Sequence, residues 1–380
     1  MDFQLTEEQQ MLKQTVREFA EKELKPKAAY WDEHEEPPLE NLKKLADLGF
    51  LGITIPEEYG GAERDFLDCY IVSEEIARCC ANTAMLSCNA DFSGARALLH
   101  FGTEEQKAKY IPRLVKGEML MSWSMSEPDA GSDVGNIRTT AKREGNGYLV
   151  NGSKTFCSFG QIAELFFVFV RFDDIPGSKG VGGVLIERGT PGLITSKHIP
   201  CMGLRATGMS QVFLENVWVP EENVLVPAGG FRKLMETVDI DRVIGNPHIS
   251  IGVAQGALDE AIRYVKERRQ FQKPLADFQG IQWMLADMAM KLDAARLLVY
   301  RAAANASRGM HSIYEASVAK TMANEVAIEV TNQALQLFGG YGYTREYPLE
   351  RMVRDVRGMA IGLGTTQIQR NLIARTLLQN

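Results

Sequence analysis

Two switches in the spacing of apolar residues constrain this chain more than any other feature. Up to about Met119 they recur every three or four positions. From there to about Pro227 they fall in short runs broken by Gly and Pro, and beyond Gly230 the helical spacing returns. The two patterns do not interchange, because a helix repeats its faces every 3.6 residues and a strand every two. The order is therefore helical, then strand-forming, then helical, with no internal repeat: an α+β chain. Its 380 residues suffice for an N-terminal helical domain over 1–118, a central β domain over 119–228 and a C-terminal helical bundle domain over 229–380.

Within the first part, Leu5-Thr6-Glu7-Glu8-Gln9 has the form of a capping box with a hydrophobic residue before the cap. The stripe Leu12, Val16, Phe19, Ala20 and Leu24 that follows is expected to end near Pro26. Further helices are predicted over 39–48, 65–80 and 95–114, the last containing a fresh start at Gly102-Thr103-Glu104-Glu105-Gln106. In the centre, Gly145-Asn146-Gly147 and Asn151-Gly152 are hairpin signals flanking Tyr148-Leu149-Val150. Runs at 165–172, 183–187, 193–198 and 212–219 complete an expected antiparallel sheet. Gly180-Val181-Gly182-Gly183 lacks the third glycine of a dinucleotide fingerprint and does not sit between a strand and a helix. It reads as a loop, which disfavours a Rossmann-type nicotinamide enzyme. Three long helices are expected over 251–266, 281–304 and 315–337. Their length exceeds what one subunit needs to cover its own core, which points to subunit packing.

Bulk properties exclude several functions. A net charge of −7 without a basic stripe interleaved with aromatics argues against nucleic acid as a partner. No apolar run approaches bilayer length. Met1-Asp2-Phe3-Gln4-Leu5-Thr6 has neither a basic nor an apolar leader segment, so no export or transit peptide is expected. Six cysteines without a paired C-x-x-C, and only five histidines, suggest no metal site. They read as buried small hydrophobes in a reducing cytoplasm.

Four stretches carry chemistry. Met125-Ser126-Glu127-Pro128-Asp129-Ala130-Gly131-Ser132-Asp133 is a turn-rich loop presenting hydroxyls and backbone N–H groups; alone it is a tight surface loop. Asn151-Gly152-Ser153-Lys154-Thr155-Phe156-Cys157-Ser158 follows it. Glu267-Arg268-Arg269-Gln270-Phe271-Gln272-Lys273-Pro274 is by itself an exposed charged helix end, although an Arg fork suits bidentate phosphate binding. Finally Arg351, Arg354, Asp355 and Arg357 have the spacing of a solvated helix face. After them Gly362-Leu363-Gly364-Thr365-Thr366-Gln367 breaks the helix with two glycines that let backbone approach a ligand closely. Together with Gln336-Leu337-Phe338-Gly339-Gly340-Tyr341-Gly342-Tyr343 these stretches resemble, in order and across all three parts, the acyl-CoA dehydrogenases, flavoenzymes that desaturate acyl thioesters.

The resemblance implies the acyl-CoA dehydrogenase fold, with N-terminal helices, a central β-barrel-like domain and a C-terminal four-helix bundle. It also implies non-covalent FAD, an acyl-CoA substrate, a homotetramer, and an electron-transferring flavoprotein or similar acceptor. Residue by residue, Met125 and Ser126 would lie against the isoalloxazine with Trp123 beside it, and Gly131 and Ser132 near the phosphates and the CoA. Phe156 stands where the family has Trp over the flavin, and Ser158 where it has the Thr that bonds the N5/O4 edge. Arg268 and Phe271 would reach the diphosphate and adenine of a neighbouring subunit's cofactor, with Gln279, Gln336 and Gly340 on the adenosine side and Thr365 and Gln367 near the diphosphate. Asp239 and Arg242 would contact CoA.

One position departs. The family's I-Y-E-G-T loop carries the Glu that takes the substrate's α-proton, whereas this loop reads Ile361-Gly362-Leu363-Gly364-Thr365. Leu363 cannot accept a proton, and three readings follow. The chain is an inactive flavin- or CoA-binding module; or Asp241, placed like the base of branched-chain relatives, serves the same α-proton; or Asp91 serves a different carbon. Asp91 falls in the helical segment that in this fold walls the acyl pocket. Burial there would raise its pKa toward the range useful for proton abstraction, although residue type alone favours a helix N-cap. An acid lost and an acid gained in one expected pocket favour Asp91. If the substrate already has an α,β double bond, its γ-proton is acidified vinylogously and a 1,4-elimination becomes accessible. This pattern resembles the family members of anaerobic aromatic-acid metabolism that act on cyclohex-1-ene-1-carboxyl-CoA, and that resemblance implies cyclohexa-1,5-diene-1-carboxyl-CoA as the product. Asp91 would take the C3 proton and flavin the C6 hydride, and the thioester carbonyl would be held by the Leu363 backbone N–H and the flavin ribityl hydroxyl, with Gly364 also at the substrate. The alternative is α,β-dehydrogenation of a saturated cyclic or branched acyl-CoA.

Overall fold

A computed structural model describes residues 4–92, 94–236 and 245–379. The first part is helical throughout: α1 (Glu7–Phe19), α2 (Ala28–His34), α3 (Leu39–Asp47), α4 (Phe66–Cys79), α5 (Ala81–Asp91), α6 (Gly94–Phe101) and α7 (Glu104–Val115). Both α1 and α7 open on reciprocal capping boxes. Gln9 N donates to Thr6 Oγ1 at 3.2 Å and Thr6 N to Gln9 Oε1 at 3.1 Å; Thr103 and Gln106 do the same at 3.2 and 3.0 Å. Pro26 does not end the first helical run as expected. A π-helical turn over Ala20–Leu24 and a 3-10 turn over Lys25–Lys27 carry the chain into α2. Pro26 falls in the opening turn of a new helical segment, where its missing N–H has no intrahelical partner to lose.

The central part contains β1 (Met121–Ser124), β2 (Thr140–Glu144), β3 (Gly147–Cys157), β4 (Leu165–Phe172), β5 (Val181–Glu187), β6 (Leu193–Thr195), β7 (Ser210–Pro220) and β8 (Val224–Val226). They form one sheet in the order β6-β7-β3-β2-β4-β5-β8, with β1 also beside β4. Four expectations change here. The sheet is mixed, because β1 and β2 both run parallel to β4; only a tight hairpin forces antiparallel pairing, and neither strand is joined to β4 by one. Gly145-Asn146 is such a hairpin, but Asn151-Gly152 lies inside β3 as a bulge, with a register shift between Val150 and Gly152. Gly180 closes a 3-10 turn while Val181–Gly183 begin β5 rather than a loop. The strand expected over 193–198 stops at Thr195, although Ser196 N still donates to Gln211 O at 3.0 Å.

Strand β4 explains why its run is apolar without alternation. Phe166, Val168 and Val170 join the larger core cluster, whereas Leu165, Phe167 and Phe169 join a second core with α6, α7 and β5. Both faces are buried.

The C-terminal helices are α8 (Pro247–Glu267), α9 (Gln279–Ser307), α10 (Ile313–Phe338), α11 (Leu349–Met359) and α12 (Thr366–Gln379), with a small ribbon of β9 (Arg269–Gln270) and β10 (Lys273–Pro274) after α8. Helix α8 packs between α4 and α10, so the two helical parts share a core. All three parts meet at α11. Arg354 pairs with Asp32 at 2.6 Å and donates to Met202 O at 3.1 Å, and Leu204 N donates to Asp355 Oδ1 at 2.6 Å. Burial pushes the Asp355 carboxyl up to about 7. Among the described residues no helix is long and apolar enough to cross a membrane.

Candidate active site

The two central motifs are clipped together by a buried ion pair. Lys154, in β3, donates to Glu127 Oε1 at 2.7 Å and to Met125 O at 3.2 Å, and Thr155 N donates to Ser126 O at 2.8 Å. Glu127 also accepts from Arg138 N, Thr139 N and Thr139 Oγ1. Burial pulls the Lys154 ammonium down to about 8, and Lys154 with these donors outweighs burial at Glu127, holding its carboxyl below the usual range. Gly152 is required by this knot: at φ +149, a Cβ would stand 2.6 Å from Thr139 Oγ1. Just beyond, Phe156 sits at φ +55 and is 61 % exposed, a strained and unburied aromatic. Ser126 and Ser158 are half-buried nearby in sequence, and Gly131 and Ser132 are exposed on the loop. Trp123, on β1, stands edge-on to Phe167 with ring centroids 5.0 Å apart.

Strand β1 is fixed by α5. Asn89 donates to Met121 O at 2.8 Å and accepts from Met121 N at 2.9 Å. Two residues on, Asp91 ends α5 rather than capping the next helix. Its carboxylate accepts from Thr54 N at 2.7 Å, Gly52 N at 3.0 Å and Thr54 Oγ1 at 3.1 Å. It borders a cavity of about 10 Å³ with Phe50, Ile53, Cys69, Val72, Ser73, Ser87, Cys88 and Phe92, room for roughly one water. Desolvation raises the Asp91 pKa, opposed by the Thr54 and Gly52 donors and by Arg96. Six other buried carboxylates are paired: Asp32, Asp68, Glu74, Glu75, Glu127 and Glu260 each lie no more than 2.9 Å from a Lys or Arg nitrogen. Among the described residues Asp91 and Asp355 are buried without an ion pair at such a distance.

Leu363 lies between α11 and α12 at φ +60, followed by Gly364 at φ +88. The loop is held from behind by Lys320 of α10, which is fully buried and donates to Gly364 O at 2.8 Å, Gly362 O at 3.0 Å and Met359 O at 3.4 Å. Asn324, one turn along, adds a bond to Met359 O at 3.1 Å. Ile361 and Gly362 donate their N–H groups to Gly358 O, and Thr366 donates to Ala360 O. Among the described residues the N–H groups of Leu363, Gly364 and Thr365 have no acceptor.

A third group lies on the outer C-terminal surface. The Arg268 guanidinium stands 5.7 Å from the Tyr341 ring centroid, and Tyr264 stacks on Phe338 at 4.0 Å, which unites the 267–274 and 336–343 motifs. Gln279, Gln336, Gly340 and Gln367 are exposed, Thr365 is half-buried, and Phe271 is 88 % exposed at φ +51. No hydrogen bond, ion pair or ring contact between described residues joins the 268–340 group to the 125–158 group within one chain. Asp239, Asp241 and Arg242 lie outside the described residues. Sequence reasoning left Asn89, the Glu127–Lys154 pair and Lys320 without roles. The available signal was an ionisable residue inside a buried segment, as at Lys320 among Ala316, Ser317, Ala319 and Ala323.

Family models described as the acyl-CoA dehydrogenase N-terminal, middle and C-terminal domains match residues 6–118, 122–217 and 228–378. The short-chain specific acyl-CoA dehydrogenase of Clostridium acetobutylicum is 43% identical, over 98% of this chain and 99% of that one. The cyclohex-1-ene-1-carbonyl-CoA dehydrogenase of Geobacter metallireducens is 39% identical, also over 98% and 99%. A solved structure of the electron transferring flavoprotein of Acidaminococcus fermentans superposes with a TM-score of 0.96 and 39% identity, covering 100% of both chains.

Proposed function

This chain belongs to the acyl-CoA dehydrogenase family, FAD-dependent oxidoreductases acting on the CH–CH groups of acyl-CoA thioesters, and we propose that its reaction is a 1,4-elimination on a cyclic enoyl thioester. The substrate is cyclohex-1-ene-1-carboxyl-CoA and the product cyclohexa-1,5-diene-1-carboxyl-CoA. The observation that carries the reading is the pairing of Leu363, where the family's base would be, with Asp91, a buried carboxylate that forms no ion pair among the described residues. The 39% identity to an enzyme of that name supports it.

The residues present fit FAD. Phe156 exposes an aromatic face that packing among the described residues leaves uncovered, Trp123 and the Ser126 and Ser158 hydroxyls belong to the same central motifs, and the 363–365 amides have no acceptor among the described residues. When bound, FAD supplies the acceptor for the hydride leaving C6. Asp91 takes the proton from C3, made acidic by conjugation through the double bond to the thioester carbonyl. Burial raises the carboxylate's basicity while the Thr54 and Gly52 donors hold it in one orientation. The Leu363 N–H binds the thioester oxygen, where negative charge accumulates. Asp239 and Arg242 bind CoA, and electrons pass on to an electron-transferring flavoprotein or similar acceptor.

Arg268, Phe271, Gln279, Gln336 and Gly340 serve the cofactor of a neighbouring subunit in a homotetramer. An apolar stripe on α9, Trp283, Met290 and Leu297 at seven-residue spacing, is exposed in the single chain and supports that packing. Six free cysteines support a reducing cytoplasm. The higher identity to a short-chain enzyme favours a second reading, α,β-dehydrogenation of a saturated acyl-CoA with Asp241 or Asp91 as base.

Anaerobic flavin bleaching with cyclohex-1-ene-1-carboxyl-CoA and with cyclohexanecarboxyl-CoA separates the two. We expect rapid bleaching by the unsaturated thioester, slowed by about 10²–10⁴-fold in flavin-replete Asp91→Asn. Bleaching mainly by the saturated thioester, indifferent to Asp91→Asn, sinks the 1,4-elimination.

A further inference from the structure

The geometry assigns Lys320 a role in the reaction: it is the positioning residue that aims the thioester-binding amide, an inference that rests on the Leu363 N–H binding the thioester oxygen. A trans peptide is planar, so the carbonyl of one residue and the N–H of the next point in opposite directions. Lys320 holds the Gly362 carbonyl at 3.0 Å and the Gly364 carbonyl at 2.8 Å. Those bonds direct the Leu363 and Thr365 N–H groups to the far side, and these N–H groups have no acceptor among the described residues. Positive φ at Leu363 and Gly364 lets the turn bring both carbonyls onto one ammonium.

The choice of residue follows. An ammonium has three donors and no acceptor, which suits a site lined by carbonyls, and a buried charge persists only where its donors are satisfied. A cation against the carbonyl ends of two peptide dipoles also polarises their N–H ends, which face the oxygen that gains negative charge. A loop merely pinned in place would not need that charge.

The test uses the FAD-loaded enzyme with Lys320→Met and Lys320→Gln. The probe is an enoyl-CoA product carrying ¹³C at the thioester carbonyl: cyclohexa-1,5-diene-1-carboxyl-CoA, or crotonyl-CoA if the saturated-substrate reading holds. Isotope-edited infrared spectra should show the carbonyl stretch lowered on binding to wild type. That lowering should be largely lost in Lys320→Met and partly retained in Lys320→Gln, whose amide keeps N–H donors. We expect kcat to fall by about 10–100-fold with KM little changed, while a thioether analogue lacking the carbonyl oxygen binds all three proteins alike. An unchanged carbonyl shift in flavin-replete Lys320→Met overturns the assignment, as does equal weakening of thioester and thioether. If Lys320→Met does not retain FAD, Lys320→Gln is judged by the same criteria. Asp91→Asn should lose turnover yet keep the carbonyl shift, so failure of the Asp91 reading and of this one are distinguishable.

Discussion

Lys154 and Glu127 belong to two motifs that were each legible in the sequence, yet nothing in a separation of 27 residues pairs them. Pairing is decided by β3 running past the loop after β1, and by the cost of leaving either charge alone in a dry interior. Lys154→Met strands the Glu127 carboxylate, and urea unfolding should show a loss of about 3–5 kcal/mol. Adding Glu127→Gln should recover part of it; a double variant no more stable than Lys154→Met would mean that the pair is not the source. Asp91 illustrates the opposite limit. Its residue type suggested an N-cap, and its burial without an ion pair among the described residues became visible only when the side chains around it were in place.

Elements with local causes were the most legible. The Thr6 and Thr103 capping boxes form as their side chains dictate, and the long C-terminal helices cover the stretches their apolar period marks. Thr103→Ala should lower stability by about 1 kcal/mol in thermal or urea unfolding, since the cap bonds stay within one turn; an unchanged midpoint would contradict the capping account. Legibility failed where a neighbour decides. Gly152 sits in a bulge because Thr139 occupies the space of its Cβ, and Val181–Gly183 form a strand because β4 lies alongside. Strand direction escaped too, as apolar runs specify burial but not orientation.

At the scale of the molecule, α11 is where the three parts are joined, and Asp355 is the titrating group of that joint. An unfolded Asp titrates near 3.8, whereas burial pushes this one to about 7. Between those values the folded state holds the proton more tightly, so this group's contribution to stability falls as pH rises from about 4 to about 7 and then levels off. Asp355→Asn should flatten that decline in urea midpoints across the window; parallel curves for variant and wild type would refute it. The sequence by itself determined the α, β, α order, the family motifs and the absence of a carboxylate at position 363, because periodicity, turn chemistry and residue identity are properties of short stretches. Only the tertiary structure decided which charges are paired, that Asp91 lies buried against the 52–54 loop, and that Lys320 clasps the carbonyls around Leu363. Burial, counter-ions and the direction of a peptide dipole are set by residues far apart in the chain.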